Sequence, residues 1–191
     1  VFVLGVDPGL TRCGFGLVER GRDGRLRAAR AGVVETPREA AIADRLFELE
    51  DELRSLVDEA RPDAVVVERV FFQVNAKTAM GVAQASGIAL AVAARAGVRV
   101  AELTSNEVKQ AVAGSGSASK EEVERMVART LALRLPIRPP DAADALALAI
   151  TFATLEHRAL AAARGAAVGG RRLALAAPSA PRARSAPTGA R

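Results

Sequence analysis

Four carboxylates in this chain of 191 residues occupy settings that ordinary surface acids do not. Asp7 ends the apolar run Val1-Phe-Val-Leu-Gly-Val-Asp7 and precedes Pro8-Gly9. A buried strand there would carry Asp7 to the rim of a sheet, where ligands bind in many α/β proteins. Asp63-Ala-Val-Val-Val-Glu68 is built the same way and delivers Glu68. Asp141 and Asp144 open a late segment, Asp141-Ala-Ala-Asp144-Ala-Leu-Ala-Leu-Ala-Ile150, that is otherwise apolar. Three residues apart on a helix, they share a face. Each acid also has a plainer reading. Asp-Pro-Gly is ordinary turn chemistry, Asp141 after Pro140 is a natural N-cap, and Asp144 in a first turn gains from the helix dipole. Capping needs only one of the pair, however, and Asp144 lies among residues suited to burial.

If the four acids meet at one rim they repel, and without partners at least one pKa must rise. Two divalent cations remove that cost. Two-metal sites hold ions roughly 3.5–4 Å apart and clamp the attacking and leaving oxygens of an in-line phosphoryl displacement. One ion acidifies the attacking water, and the other takes the charge on a departing 3′ oxygen. Other chemistries lack their residues. With one histidine (His157) and one cysteine (Cys13), a Cys/His zinc site is nearly excluded. A Ser-His-Asp triad would need His157, which sits beside Arg158 late in a predicted helix and reads as an exposed helical residue. Any metal must therefore take oxygen ligands, which selects Mg²⁺ or Mn²⁺.

Five predicted strands and five predicted helices position these residues. Strands are expected at 1–7, 13–19, 26–35, 63–68 and 98–103, with a hairpin at Gly21-Arg-Asp-Gly24. Thr36-Pro37 opens a predicted helix to about Ala60, with Ile42, Leu46, Leu49, Leu53, Leu56 and Val57 at helical spacing and an acidic outer face. Further helices are expected at 75–96, 105–113, 120–133 (capping box Ser119 with Glu122) and 141–164. Strand 63–68, helix 75–96 and strand 98–103 form a βαβ crossover, so strands four and five should be parallel.

The formal charge of +5 belongs to the tail. From Arg164 onward there are six Arg and no acid, which leaves 21 basic and 22 acidic residues, a charge of −1, in positions 1–163. The basic tail weakly favours an anionic partner. Its Ala/Pro/Arg/Ser/Gly mixture should be disordered, so the expected organisation is a single domain, 1–163, followed by a tail, 164–191. One cysteine and no recognisable signal region suit a cytoplasmic protein. The apolar stretch 78–94 reads as a buried helix rather than a membrane span.

Taken together, Val3-Leu-Gly-Val-Asp-Pro-Gly9, Val67-Glu-Arg-Val-Phe71, Val108-Lys-Gln110 with Gly114-Ser-Gly116, and Asp141-Ala-Ala-Asp-Ala-Leu-Ala147 resemble, in order and spacing, the RuvC Holliday-junction resolvases. The match covers about residues 1–157. The resemblance implies a ribonuclease H-like α/β fold: a five-stranded mixed sheet, three antiparallel strands then parallel β4 and β5, with helices on both faces. It implies a homodimer that nicks two like-polarity strands of a four-way DNA junction during recombination and repair. It also implies two Mg²⁺ per site (Mn²⁺ a possible substitute) and a branch-migration partner of the RuvA–RuvB type. By motif position, Asp7, Glu68, Asp141 and Asp144 look like the metal-binding catalytic acids. Some relatives carry His at the position of Asp141, whereas here the set is all oxygen.

The same resemblance assigns DNA contacts to Lys109, Lys120 and Phe71. Only three residues are lysine against 24 arginines. Lys109 and Lys120 flank the Gly/Ser loop 114–119, and Lys120 opens a helix whose free N–H groups favour phosphate. Ordinary solvated lysine is the alternative. Phe71 could stack on an unpaired base, while Phe72 packs inward; a core role for both is the alternative. The small residues of helix 75–96 suit either a sandwiched helix or an isologous dimer contact. Two other functions compete. An actin-like ATPase or sugar-kinase lobe shares the fold but needs a second lobe, and a non-catalytic junction-binding module would use the acids only as caps. A related nuclease acting on RNA or another structured nucleic acid is the nearest enzymatic alternative.

Overall fold

The computed structural model describes residues 1–69 and 76–173. Five strands form one sheet in the order β3-β2-β1-β4-β5. β1 (Phe2–Asp7), β2 (Arg12–Arg20) and β3 (Leu26–Glu35) are antiparallel neighbours, while β4 (Ala64–Glu68) and β5 (Arg99–Leu103) run parallel to β1. The helices are α1 (Ile42–Ala60), α2 (Ala76–Arg95), α3 (Ser105–Ala113), α4 (Lys120–Leu131) and α5 (Pro140–Leu173). This is the mixed sheet that the family resemblance implies, and its parallel β4–β5 pair is the one expected from the βαβ spacing.

Each face of the sheet has its own core, and strand parity decides which residue joins which. Side chains alternate across a strand. Leu4 and Val6 of β1, with Val65 and Val67 of β4, pack with Leu49 and Leu53 of α1 and Ala85 and Ala89 of α2. Val3 and Val66 point the other way, into a cluster with Val123 and Val127 of α4 and Leu146 and Ile150 of α5. Asp7 shares parity with Val3, and Glu68 with Val66. Both acids therefore belong to the face covered by α5.

Glycine sets how closely α5 lies on the sheet. A Cβ on Gly5 would collide with the backbone carbonyl of Ala145, and one on Gly14 with that of Asp141. The helix backbone rests directly on β1 and β2, which seats Asp141 and Asp144 low over the strand ends. Gly5→Ala should force α5 outward, at a cost of about 1–3 kcal/mol. A urea titration should show a lower midpoint.

Three local expectations are corrected. α1 begins at Ile42, not near Thr36. Thr36 is buried, its backbone N–H donates to the Thr11 carbonyl at 3.2 Å, and its hydroxyl donates to the Leu10 carbonyl. Tied to the neighbouring loop, it cannot open a helix. Asp141 is not an N-cap: Pro140 is the first helical residue, a position where its missing N–H costs nothing. Finally, α5 continues to Leu173, beyond the expected stop at 164, although Gly165, Gly169 and Gly170 are poor helix formers.

By internal contacts the chain forms two compact units, Val1–Leu155 and Glu156–Arg191. The second begins within α5, so the expected tail 164–191 starts in helix and continues into 174–191, outside the described residues. Pro140–Ala163 is long and apolar enough by composition to cross a membrane. Residues 142–143 and 145–150 supply much of that apolarity and are buried in the core.

Candidate active site

Parallel pairing of β1 and β4 sets Val6 beside Val67, so the next residues, Asp7 and Glu68, leave the sheet side by side. Antiparallel pairing with β2 sets Asp7 opposite Gly14, over which the first turn of α5 passes. Asp7, Glu68 and Asp144 line one cleft of about 360 Å³. Its opposite wall comes from α3 and α4 and includes Lys109 and Lys120. Capping boxes fix the starts of both helices: Thr104 with Glu107 for α3, and Ser119 with Glu122 for α4. The second is the box expected from the sequence. It makes Lys120 the first residue of its helix and aims it across the cleft, where Nζ lies 2.7 Å from Asp144 Oδ2.

Asp141 sits one turn from Asp144 but is held elsewhere. The Arg12 guanidinium approaches its Oδ2 at 3.1 Å from both Nε and Nη2, and also pairs with Glu35. Arg12 had no signal in the sequence, because its partner lies 129 residues away. Asp7, Glu68, Asp144, Lys109 and Lys120 are thus brought together, with Asp141 adjoining on α5. Phe71 lies outside the described residues.

The electrostatics of the cleft are those of crowded, under-compensated carboxylates. Burial, then the charges of Glu68 and Asp144, push Asp7 from the ordinary carboxylate value up to about 8. Burial also raises Glu68, against a hydrogen bond from Asp7 and the nearby Lys120 and Lys109. The contact between the two strand-end acids acts in opposite directions, raising Asp7 and lowering Glu68. Burial raises Asp144 as well, despite Lys120, whose ammonium is itself held protonated more firmly by Asp144. The single thiol offers no alternative nucleophile: Cys13 is buried and pushed up to about 12. His157 is exposed on α5, as the sequence suggested.

This donor set fits divalent cations. All the candidate ligands are oxygens, and burial together with the charges of Glu68 and Asp144 raises Asp7, a cost that bound cations would offset. Among the described residues no three acids converge on a single ion-sized point. Lys120 engages Asp144 and Arg12 engages Asp141.

A family model described as Crossover junction endodeoxyribonuclease RuvC matches residues 3–152. A protein of that name from Frankia alni is 50% identical over 185 residues, 97% of this chain and 88% of its own length. Among solved structures, Thermus thermophilus RuvC is 37% identical with a TM-score of 0.78, covering 83% of this chain and 97% of that one. T. thermophilus RuvC in complex with a Holliday junction substrate is 35% identical with a TM-score of 0.71, covering 79% of this chain and 92% of that one. With sheet order, rim carboxylates and flanking lysines already in place, these matches settle the lineage: the chain belongs to the RuvC family of crossover junction endodeoxyribonucleases.

Proposed function

We propose that this chain resolves four-way (Holliday) DNA junctions by metal-dependent hydrolysis of phosphodiester bonds. The observation that carries the reading is the convergence of Asp7, Glu68 and Asp144 on one cleft walled by Lys109 and Lys120. A site this rich in buried carboxylate repels a phosphodiester until cations enter it. Asp7, Glu68, Asp141 and Asp144 are the residues that would hold two Mg²⁺ ions, with Mn²⁺ a plausible substitute by ligand chemistry. Bound there, the metals supply an acidified water and a counter-charge for the departing 3′ oxygen.

The chain's own groups do the remainder. Asp7 and Glu68, side by side at the strand ends, would hold the ions as an anionic pair. Lys120, which pairs with Asp144 here, would turn its ammonium to a non-bridging phosphate oxygen once Asp144 held a cation, and Lys109 would flank the same strand. Water then attacks phosphorus, the bond to the 3′ oxygen breaks, and a 3′-hydroxyl and a 5′-phosphate remain. Residues 1–163 would form the nuclease domain, with the basic tail an accessory to binding. Phe71, by its motif position, would stack on a base at the junction centre.

Paired cuts need two sites. The small exposed residues Ala83, Gly87 and Ala91 on α2, beside Phe47 exposed at 70% on α1, offer a face suited to an isologous dimer. A branch-migration complex of the RuvA–RuvB type and a cytoplasmic setting complete the reading. A synthetic four-way junction compared with linear duplex, in Mg²⁺ or in chelator, tests it. Symmetric paired nicks should appear only on the junction and only with metal; equal cutting of the duplex would overturn the claim of junction selectivity.

A further inference from the structure

Arg45 on α1 carries a charge that the chain does not neutralise. The residue is only 9% exposed, and a buried cation ordinarily takes a carboxylate partner. Here Nε donates to Thr36 Oγ1 at 2.9 Å and Nη2 to Thr11 Oγ1 at 2.8 Å, both neutral hydroxyls. Among the described residues Arg45 makes no ion pair. Residues 70–75 and 174–191 contain no Asp or Glu that could supply one.

The guanidinium borders a groove of about 450 Å³ that it shares with Arg12 and Arg38, and none of the described lining residues is acidic. Arg38 is exposed and has no hydrogen bond or ion pair among the described residues. Ile42 also lines the groove and opens α1, a helix of 19 residues whose N-cap, Ala41, offers no side-chain cap. Free first-turn N–H groups, the positive end of the helix dipole and two uncompensated arginines thus face one space. Arginine's fork matches the oxygens of a phosphate.

We propose that this groove is a second phosphate site, which binds the phosphodiester backbone of DNA outside the catalytic cleft. The proposal rests on the nuclease reading. Position supports it: the groove begins at Gly9, and no more than about 7 Å of extended chain separates Gly9 from Asp7. A single strand can occupy the cleft and reach the groove across the Asp-Pro-Gly turn. Exposed Glu39 and Asp44 sit at the helix start but do not line the groove, and the exposed acids further along α1 (Glu48, Asp51, Glu52, Asp58) disfavour DNA there, so contact is confined to the groove itself.

The test is binding of the full chain to a labelled four-way junction and to linear duplex, in chelator, across a KCl series. Each neutralised phosphate contributes about 0.9 to the slope of log affinity against log salt. Arg38→Ala should lower the slope by about that much on both DNAs and weaken low-salt binding about fivefold, with an unchanged melting temperature. Arg45→Lys, which keeps the charge but loses the fork, should weaken binding with the slope nearly retained. Arg22→Ala, in the hairpin at the far end of the sheet, should match wild type. A wild-type slope and affinity for Arg38→Ala on both DNAs would overturn the proposal. So would a changed oligomeric state with an unchanged slope, which would assign the groove to a second copy. If wild type shows no preference for the junction but Arg38→Ala still lowers the slope on both DNAs, the groove stands and the junction reading fails.

Discussion

Asp7→Asn and Glu68→Gln should each slow junction nicking by a factor on the order of 10³, the scale of loss when one preorganised group facing developing charge is removed. Junction binding should stay within a few-fold of wild type. Strand parity brings both acids to the α5 face, and register sets them side by side. An amide of the same shape preserves that packing but removes an anionic oxygen from the pair. Neither side chain contributes positive charge for the DNA backbone, so affinity measured in chelator should survive. Single-turnover cutting and fluorescence anisotropy on one junction separate the two effects. A variant that cuts within tenfold of wild type at saturating Mg²⁺ would remove that acid from the proposed machinery.

Without divalent metal, the wild-type protein should lose stability as pH rises from about 4 to 8. Asp7 is raised from 3.8 to about 8 in the folded chain. Across that window the unfolded chain has already released this proton while the native state keeps it, so the unfolding free energy falls as pH increases. Ionised Asp7 is thus a cost to the fold, growing above the unfolded value and levelling off above the folded one. A shift of this size amounts to about 4 kcal/mol by pH 7. The raised values of Glu68 and Asp144 act in the same direction. Lys120, raised from 10.5, contributes stability that persists throughout the window and is lost only above it. Urea midpoints at pH 5 and pH 7.5 in chelator should show the fall. Asp7→Asn should flatten most of it, and so should saturating Mg²⁺ on the wild type. An equal fall in Asp7→Asn would place the responsible proton elsewhere.

Those two results would tie together features that reach the site by different routes. Apolar runs ending in an acid mark Asp7 and Glu68 as strand ends at the rim of a sheet, but that they share a face depends on the β1–β4 register, which only the structure supplies. The i, i+3 spacing puts Asp141 and Asp144 on one face of a helix, and Ser119 with Glu122 announces the start of α4 at Lys120. These signals are local, since each depends on backbone geometry over a few residues. The hairpin announced the β2–β3 pair and the βαβ crossover the parallel β4–β5 pair, whereas the pairing of β1 with β4 came from the structure. Where a long-range partner intervenes, local rules fail: Thr36 looks like a helix start, yet Thr11, Leu10 and Arg45 hold it in the loop.

The tertiary structure alone decided how the charges are shared out. Nothing near position 12 indicates that its arginine will bridge Glu35 and Asp141, nor does α1 reveal that Arg45 is buried against two hydroxyls with no acid opposite. Composition counts charges but cannot place them; placement requires the sheet order, which sets β2 next to β1 and so brings Arg12 beneath the start of α5. The chemistry available to this chain was written in residue type and spacing. Which acids stand free for a cation, and which are already engaged by the protein's own, depended on neighbours that only folding creates, because Coulomb interaction acts through distance in space rather than position along the chain.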